Sequence, residues 1–165
     1  MAVKFKLDDP QLSAWLLLHQ TYNMVVKIED TVLARIGISN QKYAALIAMK
    51  YIEGPVTPSD IAHWLDRNTN TITTLVDRME KNGLVKRQRN MHDRRSVRLV
   101  MTKKGKETLE AATKIGWQVV QDVLGELSED ELRRLSQMLE MVRCRAFDYL
   151  NPGKVMEEAK IKYRG

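Results

Sequence analysis

The sequence is poor in residues that build covalent cross-links and metal sites. It contains a single cysteine, Cys144, which excludes an internal disulfide and a cysteine-rich zinc motif. The three histidines, His19, His63 and His92, fall in three different predicted elements and do not cluster with the cysteine. We therefore expect neither a metal nor a cofactor.

Catalytic motifs are missing too. There is no glycine-rich phosphate loop, no His-Glu-x-x-His pair and no nucleophile elbow. The chain is therefore not expected to be an enzyme.

Long apolar runs are also lacking. No stretch of eighteen apolar residues occurs, and the first six residues do not contain the apolar core of a secretory signal. With 44% hydrophobic and 29% charged residues in 165, the chain has the composition of a folded protein with a sizeable core. We expect a cytoplasmic protein with no membrane partner.

Residues 57 to 83 predict two short helices. The first begins with a capping box, Thr57 to Asp60, which has proline at the first helical position. After a polar break, the second helix carries apolar residues at the i, i+3, i+4, i+7 spacing of one buried face, and Gly83 follows its end. That face comprises Ile72, Leu75, Val76 and Met79.

The opposite face of the second helix is polar. Short amide and hydroxyl side chains near its start suit contacts with base edges in a DNA major groove, and the cations toward its end suit phosphates. The alternative is an ordinary solvated face, the default for an amphipathic helix. The face comprises Asn70, Thr71, Thr73, Thr74, Asp77, Arg78 and Lys81.

A basic segment follows. Residues 84–89 and 96–101 are strand-like runs separated by a polar turn, and they predict a β-hairpin. From residue 78 to residue 106 there are eleven Lys or Arg and two acidic residues, a balance of +9, whereas the other 16 basic and 19 acidic residues balance to −3. Positive charge segregated in this way is typical of a surface that binds double-stranded DNA.

The order of these features resembles the winged helix-turn-helix of the multiple-antibiotic-resistance regulator (MarR) family. The resemblance rests on the threonine-rich helix, Asn82 to Val85, Asp93-Arg94-Arg95 before a strand, and Thr102-x-x-Gly105 at a helix start. Met101 departs from the leucine that is more usual before this threonine, an exchange of one apolar side chain for another. The flanking helices fit the family layout, so the resemblance spans nearly the whole chain.

The resemblance implies a mainly α fold with a small β-hairpin wing and long N- and C-terminal dimerisation helices. We expect an N-terminal dimerisation helix at 1–38, a winged helix-turn-helix DNA-binding region at 39–105 and C-terminal dimerisation helices at 106–165, intertwined as one domain. A homodimer also has a physical rationale, because two reading heads about 34 Å apart read more bases than one. The implied function is a sequence-specific transcriptional regulator, by default a repressor on a pseudo-palindromic operator.

The residues of the second helix receive individual roles. Asn70, Thr71, Thr73 and Thr74 are expected at base edges or phosphates. Arg78, Lys81 and Lys86 are expected at phosphates. Asn68 or Thr69 is expected to cap the helix.

The predicted hairpin, or wing, supplies further contacts. Lys86 and Arg89 lie on its first strand. The family pattern sends Arg95 into a minor groove, with Asp93 orienting Arg95 and Arg94 lying along the backbone. The alternative for both tip arginines is a solvated turn.

The resemblance also suggests a pocket for a small aromatic effector. Trp15, His19 and Tyr22 on the first helix, with Trp64 on the third, are the candidate lining residues. The alternative is that these aromatic side chains belong to the core, the commoner role for aromatics on an apolar face.

Redox sensing is not expected. Peroxide-sensing relatives carry a reactive cysteine near the N-terminus, and this chain has none there. Arg143 and Arg145 could lower the pKa of Cys144, although a packed thiol is the commoner outcome.

A second class of function stays open, a winged-helix module that binds protein or RNA without contacting operator DNA. Such a module would have a neutral or acidic wing and an apolar face on the second helix, whereas this sequence shows the reverse. Salt-dependent binding to duplex DNA distinguishes the two classes.

Overall fold

The computed structural model describes residues 8–89 and 97–153. This part of the chain is mainly α-helical with one β-hairpin, which confirms the predicted fold class. None of its helices combines the length and hydropathy needed to cross a bilayer. The elements are α1 (Pro10–Ala34), α2 (Asn40–Tyr51), α3 (Pro58–Trp64), α4 (Thr69–Lys81), β1 (Val85–Arg89), β2 (Val97–Met101), α5 (Lys103–Leu124) and α6 (Glu129–Leu150).

Side-chain caps start the helices where the sequence predicts them. Thr57 and Ser128 form complete capping boxes, in which each hydroxyl oxygen accepts the N–H of Asp60 or Glu131 and each carboxylate accepts the N–H of the cap. At α1, the Asp9 carboxylate accepts two backbone N–H groups. Because the first amides of a helix have no partner within it, these local contacts set the helix boundaries.

The core lies between α2, α3, α4, the hairpin and the first half of α5. The predicted inner face of α4 is confirmed, since all four of its apolar residues are buried. Packing on this face leaves the polar face of α4 directed outward. The other fully or nearly fully buried residues include Leu33, Ala45, Leu46, Ala48, Ile61, Ala62, Val85, Leu99, Leu109 and Ala112.

The antiparallel hairpin pairs Arg87 with Leu99 at its centre. A single bridge extends it: the Leu99 N–H donates to the carbonyl of Val56 at 2.8 Å. Val56 lies just before α3, so the bridge ties the wing to the start of the helix pair. The sequence did not indicate this contact, because one residue carries no strand periodicity.

The three long helices leave apolar side chains exposed. None of the described residues of α6 is buried, although Leu132, Leu139 and Val142 follow the predicted heptad spacing. On α1, Trp15 and Tyr22 are 57% and 59% exposed, so these two aromatics are not part of the core of the single chain. The stripes predicted from the sequence are present, but one chain does not cover them.

Candidate nucleic-acid interface

The N-terminus of α4 is capped by Asn68. Its side-chain oxygen accepts the N–H of Asn70 at 2.8 Å, so Asn68 is the cap and Thr69 is the first helical residue. The turn before it is tight: Asp66 has φ 49° and the Arg67 N–H donates to the carbonyl of Ala62 at 2.8 Å. This turn fixes α4 against α3 in a helix-turn-helix arrangement.

The polar residues predicted on the outer face of α4 are all exposed, in agreement with the sequence pattern. They are Asn70, Thr71, Thr73, Thr74, Asp77, Arg78 and Lys81. Two threonine hydroxyls donate to carbonyls four residues earlier, from Thr73 to Thr69 at 2.9 Å and from Thr74 to Asn70 at 3.1 Å. Because these protons are used within the helix, each threonine offers an acceptor oxygen and a methyl group to a partner.

The C-terminus of α4 is held by the start of α5. Gly83 adopts φ 73° and the Leu84 N–H donates to the Met79 carbonyl, which closes the helix as the sequence predicts. The Thr102 hydroxyl lies 2.6 Å from the Gly83 carbonyl, and Lys104 Nζ donates to the Asn82 carbonyl at 2.9 Å. Lys104, counted above in the basic segment, is thus engaged with the protein backbone.

Steric and capping requirements explain why threonine stands at position 102 and glycine at position 105. Thr102 caps α5 by accepting the N–H of Gly105 at 3.0 Å. A Cβ on Gly105 would lie 2.1 Å from the Leu84 carbonyl oxygen and 2.8 Å from Met101 Cγ. Glycine is therefore the residue that lets α5 begin directly against the chain leaving α4.

Arg87 on β1 is a functional candidate that the sequence analysis missed. Its guanidinium contacts two carboxylates of α4, with Nη2 2.6 Å from Asp77 Oδ1 and Nη1 2.7 Å from Glu80 Oε2. Its backbone N–H also donates to Glu80 Oε1 at 2.9 Å. These hydrogen bonds hold the pKa of Glu80 below its ordinary value, and the bond from the backbone N–H has the largest effect. The signal in the sequence was the acidic pair at i, i+3 inside a basic region.

Four exposed cations lie on α4 and on the hairpin beside it. Arg78 and Lys81 lie on the helix itself, Lys86 on β1 and Arg98 on β2, and all four side chains are exposed. The hairpin thus extends positive charge beside the helix, the arrangement that a phosphate backbone attracts. Among the other predicted wing residues, Arg89 ends β1, whereas Asp93, Arg94 and Arg95 lie outside the described residues.

A cavity of about 820 Å³ opens between α2, β2 and α5. Its lining is mainly apolar and includes three lysines and one glutamate. None of the four predicted effector residues lines it: Trp64 packs against the core, while Trp15 and His19 stack edge to face with ring centroids 4.9 Å apart. The lining residues are Met49, Lys50, Met101, Lys106, Leu109, Glu110, Thr113, Lys114 and Trp117.

The environment of Cys144 corrects one expectation. Partial burial and the charge of Glu140, whose Oε1 lies 3.7 Å from Sγ, raise the pKa of this thiol. Arg143 does not lower it overall, because its guanidinium is bonded to Glu140 at 2.7 Å. In residues 8–89 and 97–153 no three His, Cys, Asp or Glu side chains group as metal ligands.

Known proteins share these features. The MarR family model matches residues 39–97. The transcriptional repressor MprA of Escherichia coli (strain K12) is 27% identical over 122 residues, which are 73% of this chain and 69% of that protein.

Solved structures share the architecture. The organohalide-sensing transcriptional regulator RdhR in its 2,4-dichlorophenol-bound form matches with a TM-score of 0.78 and 19% identity, over 92% of this chain and 94% of that one. A mutant of E. coli MarR complexed with operator DNA matches with a TM-score of 0.73 and 22% identity, over 84% and 99%. Both likenesses extend beyond the winged helix to the long flanking helices.

Proposed function

We propose that the chain is a transcriptional regulator of the MarR family. It binds double-stranded DNA in a sequence-specific manner and represses transcription as a homodimer. The observation that carries this proposal is the placement of α4. Its apolar face is buried in the core, and its polar face, which includes Arg78 and Lys81, is exposed. This is the geometry of a helix that reads a major groove.

The roles of single residues follow from that placement. The amide of Asn70 and the methyl groups of Thr73 and Thr74 are assigned to base edges, whereas Arg78 and Lys86 are assigned to phosphates. Asn68 acts mainly by capping α4, which holds the first turn in position. Thr71 and Thr69 lie at the same exposed end of the helix.

Dimerisation is supported by the apolar surface that the single chain leaves open. Trp15 and Tyr22 on α1, Trp117 on α5, and Tyr149 on α6 are between 57% and 88% exposed. Exposed apolar area of this extent is costly in water and marks an interaction surface. We assign it to a second copy of the chain, because two-fold pairing places two α4 helices on one face of a duplex.

Binding to duplexes over a range of salt concentrations tests this function. A duplex enriched by the wild-type protein from a random pool serves as the site, and a scrambled duplex of equal composition serves as the control. We expect preference for the enriched duplex and a steep loss of affinity as salt rises. If no duplex is bound, or if all are bound equally, the protein is instead the interaction module considered above.

The cavity is our candidate for an effector site. Lys50, Lys106 and Lys114 outnumber Glu110 around the apolar floor, a combination that suits a small aromatic anion. Lys106 lies next to Gly105, where α5 meets the end of α4, so an occupant would press on the contacts that position α4. A screen of aromatic carboxylates and phenols by thermal shift tests this, since a ligand that prefers the folded state raises its stability. A Trp117→Ala variant should lose the shift.

A further inference from the structure

The tie between Arg87 and α4 joins two elements that both belong to the proposed DNA surface. Three contacts shorter than 3.0 Å run from this one residue of β1 to Asp77 and Glu80 on α4. The Arg87 side chain is 26% exposed, against 52% and 38% for the two carboxylates. Arg87 is therefore the most shielded member of the cluster and connects its two partners.

The strand geometry explains why Arg87 points toward α4. Side chains alternate across a strand, and Val85 is buried while Lys86 and Gln88 are exposed. Arg87 thus shares the inner face with Val85. Arg87 is paired with Leu99, and the backbone N–H groups of both residues point away from the partner strand. The Arg87 N–H donates to Glu80 at one edge of the hairpin, and the Leu99 N–H donates to Val56 at the other. Both edges of the hairpin are anchored at the same level.

The charges give the tie a second consequence. Asp77 lies on the outer face of α4 among the residues assigned to DNA, where an uncompensated carboxylate would repel phosphates. Arg87 neutralises it from the inner side of the wing. The cluster of Asp77, Glu80 and Arg87 has a net charge of −1, so Arg87 itself adds no net positive charge to the surface.

From these contacts we propose that Arg87, Asp77 and Glu80 form a positioning cluster that sets the angle between the wing and α4, and that this angle determines how well the protein discriminates its DNA site. The inference rests on the proposed function. None of the three residues contacts DNA in this role. They fix the position of the hairpin relative to α4, and the opposite, exposed face of the hairpin carries Lys86 and Arg98.

A charge-matched double variant isolates the geometric role. Arg87→Gln combined with Glu80→Ala leaves Asp77 as the one charge of the cluster, so its net charge stays at −1 while all three contacts of Arg87 with carboxylates are lost. We expect the affinity ratio between the enriched and scrambled duplexes to fall by about tenfold or more, as when one base-reading contact is misplaced. Because Asp77 loses the guanidinium that neutralises it, both duplexes should be bound more weakly, and the ratio of the two affinities removes this shared loss.

Two further variants complete the design. Arg133→Gln with Glu129→Ala makes the same two exchanges in an exposed cluster on α6, where Arg133 lies 3.4 Å from Glu129 and 3.0 Å from Asp130, and should keep the wild-type affinity ratio. Arg87→Lys keeps the charge but not the two-pronged geometry of the guanidinium, and should give a ratio between those of the wild type and the double variant. The graded response separates positioning from general destabilisation.

The hairpin can also be followed without DNA. In the wild type, the Arg87 N–H is bonded to a carboxylate, and in the double variant that amide should exchange with solvent at least about tenfold faster. If the double variant discriminates duplexes as the wild type does, the positioning role is refuted while the proposed function stands. If the wild type itself shows no sequence preference, the proposed function fails, and with it the role in discrimination. The exchange measurement still tests the contact between Arg87 and Glu80, because an unchanged exchange rate of this amide in the double variant would refute it.

Discussion

Gly105→Ala is the sharpest test of how the start of α5 positions α4. The added Cβ would lie 2.1 Å from the Leu84 carbonyl oxygen, 3.1 Å from the Leu84 carbonyl carbon and 2.8 Å from Met101 Cγ. The methionine can rotate away, but the carbonyl belongs to the backbone and must move by about 1 Å to reach ordinary contact. That carbonyl accepts the Thr102 N–H at 3.0 Å, so the displacement weakens the junction between α4 and α5.

The magnitude follows from two opposing effects. Alanine favours a helix over glycine by about 1 kcal/mol. Overpacking against a rigid neighbour costs about 1–3 kcal/mol, and the loss of a junction hydrogen bond costs about another 1 kcal/mol. We therefore expect the free energy of unfolding to fall by about 1–3 kcal/mol, and affinity for the enriched duplex to fall with it as the end of α4 shifts.

Gly116→Ala is the matched control on the same helix. Its Cβ would meet only the side chain of Tyr43, with the hydroxyl oxygen at 3.5 Å and ring carbons at 3.9 Å, which are ordinary contacts. This variant should gain up to about 1 kcal/mol from helix propensity. Urea unfolding of both variants measures the difference. If Gly105→Ala proved as stable as Gly116→Ala, the steric account of this junction would be wrong.

Four further predictions concern charge and titration. Lys86→Ala should weaken binding to all duplexes and reduce the salt slope by about 1, whereas Arg95→Ala should cost about 1–3 kcal/mol on the enriched duplex, both read by salt titration. Folding lowers the pKa of Glu80 from its ordinary 4.5, so ionised Glu80 stabilises the protein above that value, and this contribution is lost as the pH falls through the folded pKa. The free energies of unfolding of the wild type and Glu80→Gln, measured in urea, should therefore converge in acid. Because its pKa is raised, the Cys144 thiol should react with iodoacetamide at pH 7 more slowly than free cysteine, and Cys144→Ser should bind DNA normally; fast alkylation would contradict this.

The long helices show how a correct pattern can leave its partner unspecified. The spacing of Leu132, Leu139 and Val142 predicted a seam on α6. The helix is present, with Leu139 and Val142 exposed and Leu132 only partly buried. Periodicity reports which side chains share a face, because it depends on the turn of one helix. It does not report whether the covering surface belongs to the same chain, and here the single chain does not provide it. The same holds for Trp15 and Tyr22, which read equally well as core or as pocket.

What the sequence determined by itself is what depends on neighbours a few residues apart. The boxes at Thr57 and Ser128, the buried face of α4, the turn at Gly83 and the two strands all follow from such short-range rules. The tertiary structure alone decided the partners brought together across the fold: Arg87 with Asp77 and Glu80, Lys104 with the end of α4, Val56 with Leu99, and the lysines around the cavity. Composition indicated that the segment from 78 to 106 is basic. Only packing decided which of its cations face solvent and which bind groups of the protein itself, because a charge acts on whatever lies within a few ångströms of it in space.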